Sequence, residues 1–175
     1  MSHSWYIDIT LPTNCSQNGT LNFCAFDAVN ERDITVFKHS CECKGKDING
    51  YPWNYSDGDT PTGCAHGNTI APGDTVHYGP NRRINLISPM SGNLGLAYTT
   101  YGRTGLQIHD GRDQSSLWNT QGCIRVFDRD IKTITNYIDQ NCTGTGSIRG
   151  SARKPGKVYV KTVITKSIFY QNILT

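Results

Sequence analysis

One thiol and one imidazole in this chain stand in a setting suited to covalent catalysis. They lie in the segment Gly105-Leu-Gln-Ile-His109-Asp110-Gly-Arg-Asp-Gln-Ser-Ser-Leu-Trp-Asn-Thr120-Gln121-Gly122-Cys123-Ile-Arg125-Val126. Gly105–Ile108 alternates as a strand does, and Ile124–Phe127 reads as a second strand opened by a Gly-Cys step. The Gly, Asp, Ser and Asn between them are loop chemistry. A cysteine nucleophile needs a nearby base, because only the thiolate attacks. Cys123 is therefore the candidate nucleophile and His109 the candidate general base. Backbone N–H groups of Gly122 and Cys123 are the candidate oxyanion hole, since glycine lets the chain approach closely. The structural alternatives are a buried thiol or half-cystine at Cys123 and a packing histidine at His109. Neighbours on a strand face opposite ways, so Asp110 is poorly placed to orient a cleft-facing His109. A backbone carbonyl is the better third partner, and Asp110 reads as a loop or substrate-contact residue.

The run Ile-His109, loop, Thr120-Gln121-Gly122-Cys123-Ile-Arg125 resembles the signature of L,D-transpeptidase (YkuD-type) catalytic domains. Asp59-Thr-Pro-Thr-Gly63 matches the Thr-Pro-x-Gly turn those domains carry upstream. The resemblance covers roughly residues 34–128 and is specific in combination rather than in any single piece. Two departures are Asp110-Gly directly after His109, and Gln121 where the family commonly has His. The short His-to-Cys connection is similar to that of small peptidoglycan-cutting effectors delivered between bacteria. The resemblance implies a β-sandwich-like fold, a backbone carbonyl as third member, and peptidoglycan stem peptides as substrate. Chain order separates this from papain-like enzymes, which place Cys first and His far downstream.

Other side chains carry two readings each. Arg125, two residues past Cys123, shares its face if the strand continues and can grip a carboxylate bidentately, or it pairs with Asp128 or Asp130. Thr120 and Gln121 flank the nucleophile as substrate-contact candidates. Tyr101, with Tyr98, either shapes an acyl pocket or packs. Cys41, Cys43, Cys64 and His66 form a Cys-x-Cys…Cys-x-His set, but one-residue spacing on a strand is awkward for zinc. Disulfides are the better reading there, and thiol acyl transfer calls for no metal or cofactor. Asn14, Asn18, Asn54 and Asn141 begin glycosylation sequons that matter only on a eukaryotic secretory route.

The 175 residues suit one domain, 1–175, with a single sizeable core. Eighteen glycines and few charged residues favour a mainly β, loop-rich protein. A net charge of +3 and the lack of a basic run interleaved with aromatics argue against nucleic-acid binding. No stretch approaches the ~20 apolar residues of a membrane span. Seven cysteines read as six plus one: up to three disulfides, Cys15–Cys24 the best-placed pair, and a free Cys123 in an oxidising compartment.

Strands are expected at Trp5–Leu11, Leu21–Val29, Ile34–Cys43, Thr75–Tyr78, Ile84–Ile87, Leu94–Thr100 and Lys157–Phe169. Lys44–Gly63 reads as a long aromatic-studded loop. The one packed helix is Arg129–Gln140, capped by Asp128, with Ile131, Ile134 and Ile138 on one face.

These readings converge on a cysteine acyltransferase acting on stem tetrapeptides, by transpeptidation, D-amino-acid exchange or L,D-carboxypeptidase hydrolysis. The alternative is a non-catalytic, disulfide-stapled β module that binds cell-wall glycopeptide. Met1-Ser-His-Ser-Trp-Tyr-Ile-Asp8 is not a secretory signal peptide. Either a leader has been removed or the protein reaches the bacterial periplasm or cell wall by a leaderless route. The second case is that of an antibacterial effector toxin, whose partners would be a secretion apparatus and a cognate immunity protein.

Overall fold

Trp5, Ile7, Ile9 and Leu11 alternate along β1 (Ser4–Pro12) and all four are buried. Leu21, Phe23 and Ala25 do the same along β2 (Gly19–Val29), as the two-residue period of a strand requires. These two antiparallel strands start the core, and β3 (Arg32–Cys43) extends them with a register shift at Ala25/Phe26. The computed structural model describes residues 3–14, 16–29, 32–45, 49–111, 115–142 and 157–163.

On its other edge β1 takes β8 (Lys157–Val163) in parallel. Antiparallel β4 (Gly63–Ile70) and β5 (Arg83–Ser91) follow, then β6 (Gln107–His109) antiparallel to β5, and β7 (Ile124–Arg125) parallel to β6. The sheet order is thus β3-β2-β1-β8-β4-β5-β6-β7. Its two edges meet. Lys44, directly after β3, bridges Arg125 of β7 through backbone bonds of 2.8 and 2.7 Å. The sheet therefore curls back on itself, leaving a seam between β3 and β7.

Among the described residues three helices accompany the strands: α1 (Thr75–Tyr78), α2 (Gly92–Thr99) and α3 (Asp128–Asn141). The expected helix is α3, with Ile131, Ile134 and Ile138 buried. Each isoleucine contributes roughly 1.5–3 kcal/mol of burial, an upper bound. Tyr137 fastens it further, stacked on Phe37 at 4.1 Å and edge-on to Phe23 at 6.0 Å. Asp128 is the first helical residue rather than the cap; Phe127 holds the cap position without a side-chain bond. With Asp130, Asp128 supplies negative charge to the helix's positive end.

Two expected strands are helical. Thr75–Tyr78 is one turn, because the Asp74 carboxylate accepts from Val76 N at 2.9 Å and holds the chain in a cap. Leu94–Thr100 falls largely within α2. Its Tyr and Thr content suggests a strand, but Leu94 and Ala97 are the buried pair, spaced as on a helix face. Strand β4 had no sequence signal, since two glycines, a histidine and an asparagine make up four of the six residues of Gly63–Asn68. Its glycine has a reason: a Cβ on Gly63, at φ 147°, would strike Ser91 O and Leu94 where β5 turns into α2. Residues 164–169 of the last expected strand lie outside the described residues.

The six-plus-one cysteine pattern is also corrected. Cys24, Cys41, Cys43, Cys64, Cys123 and Cys142 are all free thiols; Cys15 lies outside the described residues. Cys64 on β4 is separated from Cys41 and Cys43 on β3 by β2, β1 and β8. The Cys-x-Cys…Cys-x-His set is therefore not one site. Burial pushes the Cys41 and Cys142 thiols up to about 12, and Cys43 up as well.

Candidate active site

Parallel strands β6 and β7 pair Ile108 with Ile124 and His109 with Arg125. Ile108 and Ile124 point into the core, so His109 and Arg125 face the other way, with Cys123 two residues before Arg125. One strand spacing across and two residues along puts the Cα atoms of His109 and Cys123 roughly 8 Å apart. Both side chains line one cavity of about 660 Å3. Tyr101, Thr120, Gln121 and Arg125 line it too, and so do Tyr78 and Arg103, which the sequence did not single out. Asp110 and Tyr98 are not in the lining: Tyr98 is exposed, and Asp110 is fully buried. Asp110 accepts from Asn81 Nδ2 at 2.5 Å and lies against Gly79 at the end of α1. That placement corrects its expected substrate contact and agrees with the alternation of strand side chains.

The Cys123 turn is held by hydroxyls and one guanidinium. Thr120 Oγ1 donates to Cys123 O. Buried Thr60, of the Thr-Pro-x-Gly segment, approaches Gly45 O at 2.7 Å, Gly122 O at 2.9 Å and Cys123 O at 3.3 Å. One hydroxyl proton is shared among these acceptors. With Gly122 O turned to Thr60, the trans peptide sends the Cys123 N–H the opposite way. Gly122 has φ 102°, and a Cβ there would run into the Arg103 guanidinium and lie 3.1 Å from Gly58 O. Only glycine fits both demands.

Arg103 ties the long loop to this turn. It donates to the carbonyls of Trp53, Asp59 at 2.9 Å, Gly58 at 3.1 Å and Gln121 at 3.5 Å. Burial lowers its pKa, while Cys123, Asp57 and Asp59 act to raise it; a guanidinium stays charged regardless. A lone arginine after a glycine carries no motif, so this role had no signal in the sequence.

His109 is buried, with Nδ1 2.5 Å from Asp110 O and Tyr78 edge-on at 5.0 Å. A carbonyl only accepts, so Nδ1 carries the proton and Nε2 is the basic nitrogen. Burial pulls the ring down to about 4, the Asp110 carbonyl opposing and Arg125 and Arg83 assisting. The imidazole is neutral at pH 7. Burial raises the Cys123 thiol, against the Gln107 backbone and Arg125, Arg103 and Arg83. Its Sγ lies 3.7 Å from Gly105 O. At rest the pair is thus thiol and neutral imidazole, not an ion pair. Arg125 Nη2 donates to His77 O at 3.3 Å from the cavity wall. Comparison with protein-family models, curated proteins and solved structures gave no match.

Proposed function

We propose that this protein is a cysteine acyltransferase working in the 660 Å3 cavity, with Cys123 as nucleophile and His109 as base. The observation that carries the reading is the buried neutral imidazole, its Nδ1 committed to the Asp110 carbonyl, in the same cavity as the thiol. Nε2 takes the thiol proton as Sγ attacks an amide carbonyl. Negative charge develops on the carbonyl oxygen, and the N–H groups of Gly122 and Cys123 are its donors. The imidazolium so formed is a strong acid in its buried setting and protonates the leaving amine. A thioester remains. An amine acceptor then gives transpeptidation or exchange, and water gives hydrolysis.

The resemblance to L,D-transpeptidases assigns the substrate: a peptidoglycan stem tetrapeptide losing its terminal D-alanine. The Arg125 guanidinium beside the cavity suits the carboxylate of such a peptide, while Arg103 is committed to backbone carbonyls and adds only positive charge nearby. In this reading the curled sheet is the family's sandwich-like scaffold, and the site of action is the periplasm or cell wall. The test is digestion of tetrapeptide muropeptides read by mass, with Cys123→Ala and His109→Ala beside the wild type. Both variants should lose D-alanine release while keeping the wild-type fold, since the two groups act as one unit. Wild-type turnover by either variant would show the nucleophile or base to be misassigned. Binding without turnover by the wild type would favour a recognition module.

A further inference from the structure

On the seam, away from the cavity, three side chains of different chemistry converge. His39 and Cys41 stand two residues apart on β3 and so share a face. Burial alternates accordingly, Phe37, His39 and Cys41 being half-buried and Lys38, Ser40 and Glu42 exposed. Asp130 comes to meet them from the first turn of α3, itself buried. His39 Nε2 lies 2.9 Å from Asp130 Oδ1, and the nitrogen, sulfur and oxygen all fall within 4.8 Å of one another.

We propose that His39, Cys41 and Asp130 form a binding site for a divalent transition ion of the zinc class, with a fourth position open to water. A tetrahedral zinc ion with such ligands spaces its donor atoms roughly 3.4–3.6 Å apart. The 2.9 Å His–Asp separation and the 4.8 Å limit on all three pairs are compatible with that spacing, with the His–Asp pair opening by about half an ångström. The donor set is imidazole, thiolate and carboxylate, which suits zinc better than magnesium or calcium. On binding, the thiol proton leaves to solvent and the ion replaces the His39–Asp130 hydrogen bond. Arg129 Nε approaches the other oxygen, Asp130 Oδ2, at 3.7 Å; its side chain is 83% exposed, so water screens it. His39 and Cys41 have the same one-residue spacing as Cys-x-Cys, but here the shared strand face already brings both donor atoms within 4.8 Å of Asp130, so no turn has to swing them together. Such an ion would clip β3, one edge of the sheet, to the helix that follows the other edge.

The experiment is titration of chelator-treated full-length protein with Co2+, followed by competition with Zn2+. One equivalent should give a near-ultraviolet thiolate-to-cobalt charge-transfer band and the visible absorption of a four-coordinate ion, both abolished by Zn2+. Cys41→Ser should lose the charge-transfer band, and His39→Ala should weaken binding by at least about tenfold. Cys123→Ala should keep both, which separates this site from the proposed acyl-transfer site. No thiolate band in the wild type, or a band that survives Cys41→Ser, would overturn the proposal.

Discussion

Lowering the pH from 7 to 5.5 should leave the proposed acyl-transfer reaction almost unchanged, although a histidine is its proposed base. An ordinary imidazole, near 6.5, would lose about eightfold of its neutral form over that interval. His109 is 2% exposed and held at about 4 by its burial, a shift worth about 3 kcal/mol against the imidazolium. It therefore remains more than about nine-tenths neutral at pH 5.5. The assay is kcat/KM for D-alanine release across the acid range, whose acid limb reports the base in the free enzyme. Circular dichroism at each pH separates loss of base from loss of fold. The separation matters because a depressed histidine favours folding above its unfolded value. That contribution is present above about 6.5 and is lost as pH falls through about 4. Asp110 works in the opposite direction. Burial raises it to about 6, so its contribution is full below the ordinary carboxylate range and is lost as pH rises through about 6. Asp110→Asn should flatten the neutral side of the stability profile and leave the acid limb of kcat/KM in place. An acid limb centred at or above 6.5, with the fold intact, would refute the buried-base argument.

Gly122→Ala should cost about 1–3 kcal/mol, from the strained backbone and the collision with Arg103, and depress turnover with it; chemical denaturation and the muropeptide assay read the two effects. Alkylation under denaturing, non-reducing conditions should modify Cys24, Cys41, Cys43, Cys64, Cys123 and Cys142 alike, as checked by intact mass. Paired, blocked cysteines would restore the disulfide framework. If the substrate is the wall, protein exported to the periplasm of a test bacterium should cause swelling or lysis. Cells exporting Cys123→Ala should grow normally, and equal growth of both strains would count against a toxin.

The elements that the sequence made legible were those whose period is unambiguous. Ile7, Ile9 and Leu11 can only be a strand with one buried face, and Ile131, Ile134 and Ile138 can only be a helix stripe. Leu94–Thr100 was misleading because Tyr98, Thr99 and Thr100 end a short window with strand-favouring residues. Tertiary burial of Leu94 and Ala97 decided otherwise. The Cys123 and His109 positions were legible from local chemistry, because each sits at the end of a short strand flanked by glycine or polar loop. Their supports were not. Thr60 and Arg103 act on backbone carbonyls far away in the chain, and such acceptors have no residue-type signature.

Those supports meet where the sheet closes. Lys44 leaves β3 and pairs with Arg125, and the chain then runs out through the long loop. It returns when Thr60 N bonds Gly45 O at 2.8 Å. The loop is thus anchored at its base beside the proposed nucleophile, with Thr60 holding the Cys123 turn from one side and Arg103 from another. A parallel pair as short as β6–β7 supplies few backbone bonds of its own. The geometry of Cys123 consequently depends on the seam more than on its strand. Substitutions that loosen the seam, such as Thr60→Val, should act on turnover before they act on the core packed beneath β1 and β2.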